Sequence, residues 1–394
     1  MSTSTRFQRI EKIAQKHIDD GAFSSIEWLI KRNGELWSSG SAGYCDTANK
    51  TPLPDKPIYR IYSMTKPIVS AVALMLVEMG KLRLFDPVAA YLPEFSKMSV
   101  LQKDGSTIPA NSPIIIEHLL THRAGLSYGF ITDCPVSEFY RQSEINDASL
   151  SLEEAIKKIA EMPLVFEPGS KWQYSVATDV LARVLEVALG KNLPDILNEL
   201  LLLPLGMVDT GFHIEAPQQP RLLSVFGKSD LNEVMNFDDK SQALTPSDPS
   251  DHHPVNDIKF YRGGYGLYST IDDYSLCVDF LGSGLTSKGE RLLSSKMVEL
   301  MWTNRIPDNQ LPLRIGPIPL PGYGFGLAGR VMMDIGKSYG LTSQGECGWA
   351  GAASTYFWID KKEDIVGLTM TQYLGSKIPI GDDIRNAVYQ ALDD

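Results

Sequence analysis

The 394-residue chain has no apolar stretch approaching the roughly 18 to 20 residues that a helix needs to span a bilayer. It has no basic excess either. Lys and Arg total 37 against 48 Asp and Glu, a net charge of −11 with a pI near 5.1, which argues against a nucleic-acid or anionic-membrane partner. Cysteine is scarce: Cys45, Cys134, Cys277 and Cys347 are scattered without metal-ligand spacing, and reduced thiols are the default for such a set. Residues Met1 to Asp20 lack the apolar core of an export signal; instead Phe7, Ile10, Ile13, Ala14 and Ile18 recur at helical spacing in a polar background. A cytoplasmic protein is the expectation. Internal repeats and low-complexity segments are also missing. What remains is a globular composition, 43% hydrophobic and 22% charged, long enough for two domains.

The stretch that organises the chain is Ser63-Met64-Thr65-Lys66, followed by Pro67 and an apolar run from Ile68 to Met79 that stops at Gly80. A run apolar on every face predicts a buried helix. Ser63 and Lys66 stand three apart at its entrance, so their side chains share one face. A serine hydroxyl needs a base within hydrogen-bond reach. A lysine can be that base where burial and the positive end of a helix disfavour its ammonium form. The Ser63 amide, at the helix start, is free to donate to a developing oxyanion. S-x-x-K alone also fits a solvated helix start. Against that stand the wholly apolar helix behind it and Pro67, which removes a helical N–H and discourages the helical conformation at Lys66.

In chain order, Asn33-Gly34 between apolar runs predicts a hairpin of Ile26 to Ile30 with Leu36 and Trp37. Ser112-Pro113 predicts a helix start running to His122, and Ser151 to Glu154 is a capping box for a helix to about Met162. Further helices are expected over about Thr178 to Leu189, Ile196 to Leu203, and from Thr270, with Asp273 in its cap, to about Gly282. The segment Glu215 to Asp257 is loop-like and is expected to border something; Pro307 to Pro321 reads as a crossing between domains. Ala353 to Ile359 and Ile365 to Thr371 read as paired strands, and Asp383 to Leu392 as a closing helix. Strands at both ends and helices between them imply an α+β chain. A discontinuous sheet domain would comprise residues 1–62 and 322–394, and a mostly helical domain residues 63–321.

A serine–lysine pair needs a second proton carrier and a second oxyanion donor. Tyr174-Ser175-Val176 offers the first, since a phenol between two cations releases its proton well below pH 10. Gly348-Trp349-Ala350-Gly351-Ala352, entering a strand, offers the second, because glycine lets backbone approach a ligand closely. The order S-x-x-K, Y-S-x about 110 residues later and W-x-G near the end resembles the serine hydrolases of the class C β-lactamase superfamily, which share the penicillin-binding-protein fold. Within that superfamily the sequence looks most like the family VIII carboxylesterases. Leu119-Leu120-Thr121-His122-Arg123-Ala124-Gly125-Leu126 and Gly264-Tyr265-Gly266-Leu267-Tyr268-Ser269-Thr270 extend the likeness, which covers roughly Ile26 to Thr371.

The resemblance implies an antiparallel sheet flanked by helices plus a mostly helical domain, with the active site between them. It implies Ser63 as acylated nucleophile, Lys66 and Tyr174 as general base and acid, and the amides of Ser63 and Ala352 as oxyanion hole. It implies a small ester of short to medium acyl chain as substrate, with no metal or organic cofactor. Two departures matter. Trp349-Ala350-Gly351 stands where β-lactamases and DD-peptidases carry K-T-G, and Val176 stands where they carry the asparagine of Y-x-N. Both trade polar recognition for apolar surface, which favours neutral esters over β-lactams and D-Ala-D-Ala peptides. Trp349, Gly351 and Val176 are thus candidate substrate contacts. Tyr128 and Phe130 are candidates for the acyl pocket, though ordinary core packing accounts for them equally well. A β-lactamase, a D-amino-acid amidase or peptidase, an acyltransferase and an idle sensor remain as alternatives.

Other patterns carry less. Gly125-Leu126-Ser127-Tyr128-Gly129 matches G-x-S-x-G, but that elbow needs a strand before it and a helix after it. Gly324 to Gly329 matches G-x-G-x-x-G in strand-like surroundings and reads as structural. His118 and His122 are four apart, yet no glutamate follows His118 and no third ligand suggests itself. His122 is better explained by capping helix carbonyls, and His252-His253, in a polar loop, as solvated.

Overall fold

The protein is described by a computed structural model covering residues 3–236, 243–255 and 259–392. Parts of the Glu215 to Asp257 loop, residues 237–242 and 256–257, fall outside the described residues, as do the chain's extreme ends.

Both chain ends build one antiparallel sheet. Its strands are β1 (Ser25–Arg32), β2 (Glu35–Gly43), β5 (Tyr323–Phe325), β6 (Arg330–Met332), β7 (Cys347–Ala350), β8 (Tyr356–Asp360) and β9 (Ile365–Met370). Their order is β5-β6-β7-β8-β9-β1-β2. Between the two groups lies a small hairpin of β3 (Leu313–Ile315) and β4 (Ile318–Leu320). The β1–β2 turn is the predicted one, with Asn33 and Gly34 both at positive φ, 53° and 77°, as a tight hairpin of right-twisted strands requires. Register follows alternation. Ile26, Trp28 and Ile30 face the helices α1 (Thr3–Asp19) and α7 (Ile380–Gln390), while Leu29 faces the main core with Phe357, Leu368 and Met370.

The centre of the main core is α2 (Thr65–Glu78), in which every residue from Thr65 to Leu76 is buried. The helix Ile68 to Met79 predicted from the apolar run is therefore present, begun one turn earlier. Around it stand α3 (Ile116–Leu120), α4 (Leu152–Ala160), α5 (Ala177–Leu189) and α6 (Ile271–Ser283). The Ser151–Glu154 capping box forms as predicted, as does the Thr270 cap, whose hydroxyl accepts from the Asp273 amide. Gly190 ends α5 at φ 63°.

Several boundaries differ from the sequence pattern. Ser112-Pro113 does not start α3; Ile115 is its N-cap, and the Ile115 amide donates to His118 Nδ1 at 3.4 Å. The segment Pro307 to Pro321 carries the β3–β4 hairpin. Helix α6 lies inside the stretch 63–321 yet packs on β9, β1 and β8. No helix among the described residues is long and apolar enough to cross a membrane.

Burial leaves one acid exposed to a pH test. Glu27 in β1 accepts from Tyr59 Oη at 2.9 Å, and desolvation, opposed by that bond, pushes its carboxyl up to about 7. The folded state then holds a proton that the unfolded chain gives up above about pH 4.5, so this group costs stability as pH rises from there to 7. Glu27→Gln is expected to raise stability at pH 8 by about 1–3 kcal/mol and to leave it unchanged at pH 4. Urea denaturation at the two pH values checks this.

Candidate active site

Ser63 sits in a single 3-10 turn, Tyr62–Met64, that feeds directly into α2. Tyr62 holds φ 43°, a conformation costly for a bulky side chain, and is itself buried. The turn is anchored by Tyr274 Oη, which donates to the Met64 carbonyl at 2.7 Å. Ser63 Oγ accepts two hydrogen bonds, from Lys66 Nζ at 3.2 Å and from Tyr174 Oη at 2.8 Å. The three residues predicted to act together are thus brought together, across 111 positions of chain.

Lys66 is only 3% exposed. Besides Ser63 it donates to Tyr128 Oη at 2.9 Å and to the Gly264 carbonyl at 2.7 Å, so all three of its donors have acceptors. Its ammonium also lies 4.7 Å from the centroid of the Tyr174 ring. The sequence suggested Tyr174 between two cations; the structure has Lys66 alone. On its other sides stand Trp349, with ring centroids 5.4 Å apart, and His122, at 4.8 Å. His122 does not cap helix carbonyls. It lies beyond the end of α3 at φ 54°, buried, with Nδ1 3.2 Å from Ser175 Oγ. Burial, and next the Lys66 charge, hold its imidazole well below the ordinary histidine range, so it is neutral.

The strand bearing Trp349 ends against the nucleophile turn. A Cβ on Gly351 would collide with the Ile61 carbonyl and Thr355 Oγ1, so only glycine lets β7 close onto the turn. The Gly351 amide donates to the Thr355 carbonyl at 2.8 Å. Ala352, next along, lines the same cavity as Ser63. Ser354 then takes φ 64°. Non-glycine residues at positive φ therefore flank Ser63, Tyr174 and Ala352 alike.

Ser63, Trp349, Gly351 and Ala352 line a cavity of about 280 Å³. Tyr128 and Phe130 line it too, stacked with centroids 4.6 Å apart. Tyr128 has a second task that the sequence did not reveal, as an acceptor for Lys66. Burial pushes its phenol well above the ordinary tyrosine range, so it stays protonated. Val176 corrects the sequence expectation: it does not line the cavity but is buried in the core at the N-cap of α5, its amide donating to the Ser127 carbonyl at 3.2 Å. The remaining walls were not foreseen as such. Leu231, Val234 and Met235 form one, from the loop expected only to border something; Ile315, Ile318 and Leu320 of the β3–β4 hairpin form another.

The discarded patterns also find their places. Ser127 is fully buried, with Oγ 3.2 Å from Ser137 Oγ and accepting from Gln173 Nε2 at 3.2 Å. His252 and His253 are not solvated: both are buried, and burial lowers His252 to about 4 and holds His253 well below the ordinary histidine range. A histidine pair in a polar loop gives no sign that the loop will fold back beneath Tyr62, whose ring centroid is 5.1 Å from that of His253.

The beta-lactamase family model matches residues 10–391. The chain belongs to the beta-lactamase family. That makes it a serine hydrolase by family. It is similar to Protein Rv1367c of Mycobacterium tuberculosis, 34% identical over 90% of this chain and 87% of that one. It is similar to Esterase EstB of Burkholderia gladioli, 28% identical over 92% and 89%. Among solved structures it resembles EstCE1, a hydrolase with promiscuous acyltransferase activity, at 26% identity and a TM-score of 0.83, covering 98% of this chain and 99% of that one. The penicillin-binding-protein fold implied by the sequence is the fold observed, shared also with a penicillin-binding-protein homologue from Caulobacter crescentus at a TM-score of 0.71 over 98% of both chains.

With Val176 in the core, Val176→Ala is expected to cost about 1–3 kcal/mol in chemical denaturation while leaving the KM for an ester unchanged. A raised KM without loss of stability would return Val176 to the substrate.

Proposed function

We propose that this protein hydrolyses neutral carboxylic esters through an acyl-enzyme on Ser63. The observation that carries the reading is the double donation onto Ser63 Oγ, from Lys66 Nζ and Tyr174 Oη, at the edge of a cavity with apolar walls. The Lys66–Tyr174 pair acts as base in the form that has given up one of its protons to solvent: that form takes the serine proton as Oγ attacks the ester carbonyl. The backbone amides of Ser63 and Ala352 receive the oxyanion of the tetrahedral intermediate. Tyr174, nearest to Oγ, returns a proton to the leaving alcohol. Water then enters, and the same pair reverses its roles to free the acid.

Preference for a neutral ester rests on Trp349. Its indole replaces the lysine of K-T-G, so that position offers a substrate carboxylate no cation, and its Nε1 has no hydrogen-bond partner among the described residues; Arg330, which also lines the cavity, is already engaged by Tyr356 Oη and by Glu346 at 3.8 Å. EstB is named an esterase, and EstCE1 is described as a hydrolase with promiscuous acyltransferase activity; both names agree with this reading. Transfer of the acyl group to an alcohol in place of water is a second outcome of the same acyl-enzyme, favoured by the apolar walls.

The test is hydrolysis of p-nitrophenyl butyrate by wild type and Ser63→Ala, with nitrocefin and a D-alanyl amide alongside. Ester turnover should fall at least ~10³-fold in Ser63→Ala, with little turnover of the other two by wild type. Turnover surviving in Ser63→Ala would remove Ser63 as nucleophile; silence on every substrate, with no covalent labelling of Ser63, would favour an idle sensor. Trp349→Lys should not improve ester turnover, and a large gain would refute the role given to its apolar face.

A further inference from the structure

Three unused features stand near the site. Tyr62 Oη, His252 Nε2 and both ring nitrogens of His253 are buried without hydrogen-bond partners among the described residues, but the rings of Tyr62 and His253 pack directly on one another, centroids 5.1 Å apart, and nothing there points to a ligand. The exposed apolar residues Met333, Ile335, Tyr339 and Leu341 follow β6, and nothing shows what covers them. The third is a buried carboxylate that the proposed chemistry does not use.

Asp179 is on the first turn of α5, five residues past Tyr174, and is 3% exposed. It makes no ion pair among the described residues, an expensive state for a carboxylate so deep in the protein. Its Oδ1 accepts from the Gly264 amide at 2.9 Å, and the carbonyl of the same Gly264 accepts from Lys66 Nζ at 2.7 Å. The fit around Gly264 is tight. A Cβ there would lie 2.5 Å from Asp179 Oδ2 and 3.0 Å from Tyr128 Oη. One on Gly263 would lie 2.5 Å from Ala182 Cβ, so the two-glycine loop lies flat on α5. The loop has no side chain with which to fix itself, and Asp179 supplies the contact that sets where the Gly264 carbonyl points.

We infer that Asp179 is a positioning residue for Lys66: through Gly264 it fixes the lysine's third hydrogen bond, and its charge is the buried counter-charge of the ammonium. The inference rests on Lys66 serving Ser63 as proposed above. Asp179 touches neither Ser63 nor Tyr174 and acts only through Gly264 and through space. Burial pushes its carboxyl up, and Lys66 is the first of the groups pulling it back, followed by the Gly264 amide and Arg262. The other ionisable groups facing Lys66 are Tyr174, Tyr128 and His122, and those facing Asp179 are Arg262, Tyr128 and Tyr265. His122 is neutral, and burial keeps the phenols of Tyr128 and Tyr265 protonated.

The experiment compares kcat/KM against pH for p-nitrophenyl butyrate in wild type, Asp179→Asn, Asp179→Ala and Ser63→Ala. Asparagine keeps the acceptor for Gly264 and removes the charge. Loss of the negative charge should displace the acid limb of the rate profile to lower pH than in wild type, at unchanged KM. Alanine also removes the acceptor, so kcat should fall by up to about 100-fold as Lys66 loses its alignment. An Asp179→Asn profile superimposed on wild type would overturn the inference, since a purely structural aspartate would move stability and not the limb. Should Asp179→Asn not fold, Gly264→Ala tests the same contact by pushing Asp179 and Tyr128 aside: kcat should drop at constant KM, and an unchanged kcat would overturn the inference. Turnover that survives in Ser63→Ala would overturn the Ser63 reading and this inference together; failure of Asp179 alone leaves Ser63→Ala inactive.

Discussion

The structure depends on keeping one ammonium group out of water. Lys66 enters the most apolar helix of the chain almost without solvent contact, where an unpaired charge would cost several kcal/mol. Each of its three donors must therefore be met, and the acceptors come from segments far apart in sequence: the nucleophile turn, the Tyr128 loop and the Gly263-Gly264 loop. Folding the helical layer onto the sheet brings these segments together. Ser63 Oγ is one of the three acceptors, so the requirement that stabilises the lysine is also the one that sets Ser63 Oγ.

The surroundings keep that arrangement from relaxing. His122, packed on Tyr174, and Tyr128, bonded to Lys66, are held neutral by burial, so neither adds a positive charge beside Lys66. Tyr62, His122 and Ser354 sit in left-handed backbone at φ 43°, 54° and 64°, each costing on the order of 1–3 kcal/mol. Such costs persist only where packing over-determines the conformation, and here all three border the reacting groups. Five other non-glycine residues at positive φ, Asn33, Lys50, Lys56, Glu144 and Asp364, stand outside this group.

Much of this was legible in the sequence where residues act locally. The apolar run after Pro67, the Asn33-Gly34 turn and the Ser151 capping box predict their own elements, because hydrogen bonds within a few residues decide them. Ser63, Lys66 and Tyr174 were legible through residue type and order. What was hidden depends on contacts between distant segments. Nothing in Tyr128 says that its hydroxyl meets Lys66 and not the acyl group. Val176 looked like a substrate contact because its place in Y-S-x is one, yet at the start of α5 its side chain turns into the core. Pro307 to Pro321 looked like a linker because proline density marks turns, and the turns proved to belong to a hairpin over the cavity.

The correction at Val176 alters the argument for substrate class. Of the two apolar replacements seen in the motifs, only Trp349 faces the cavity, so loss of the asparagine amide subtracts a polar contact without adding an apolar one there. The apolar character of the site comes instead from Leu231, Val234 and Met235 on one side and Ile315, Ile318 and Leu320 on another. These lie in a loop and a hairpin outside every catalytic motif. They can therefore change without disturbing Lys66, whereas Tyr128, Gly264 and Asp179 cannot. The contacts of Lys66 and the walls of the cavity are thus carried by separate parts of the chain: the first fixed through burial of charge, the second by apolar side chains on connections between elements. The walls can therefore change shape while the serine–lysine–tyrosine set keeps its geometry.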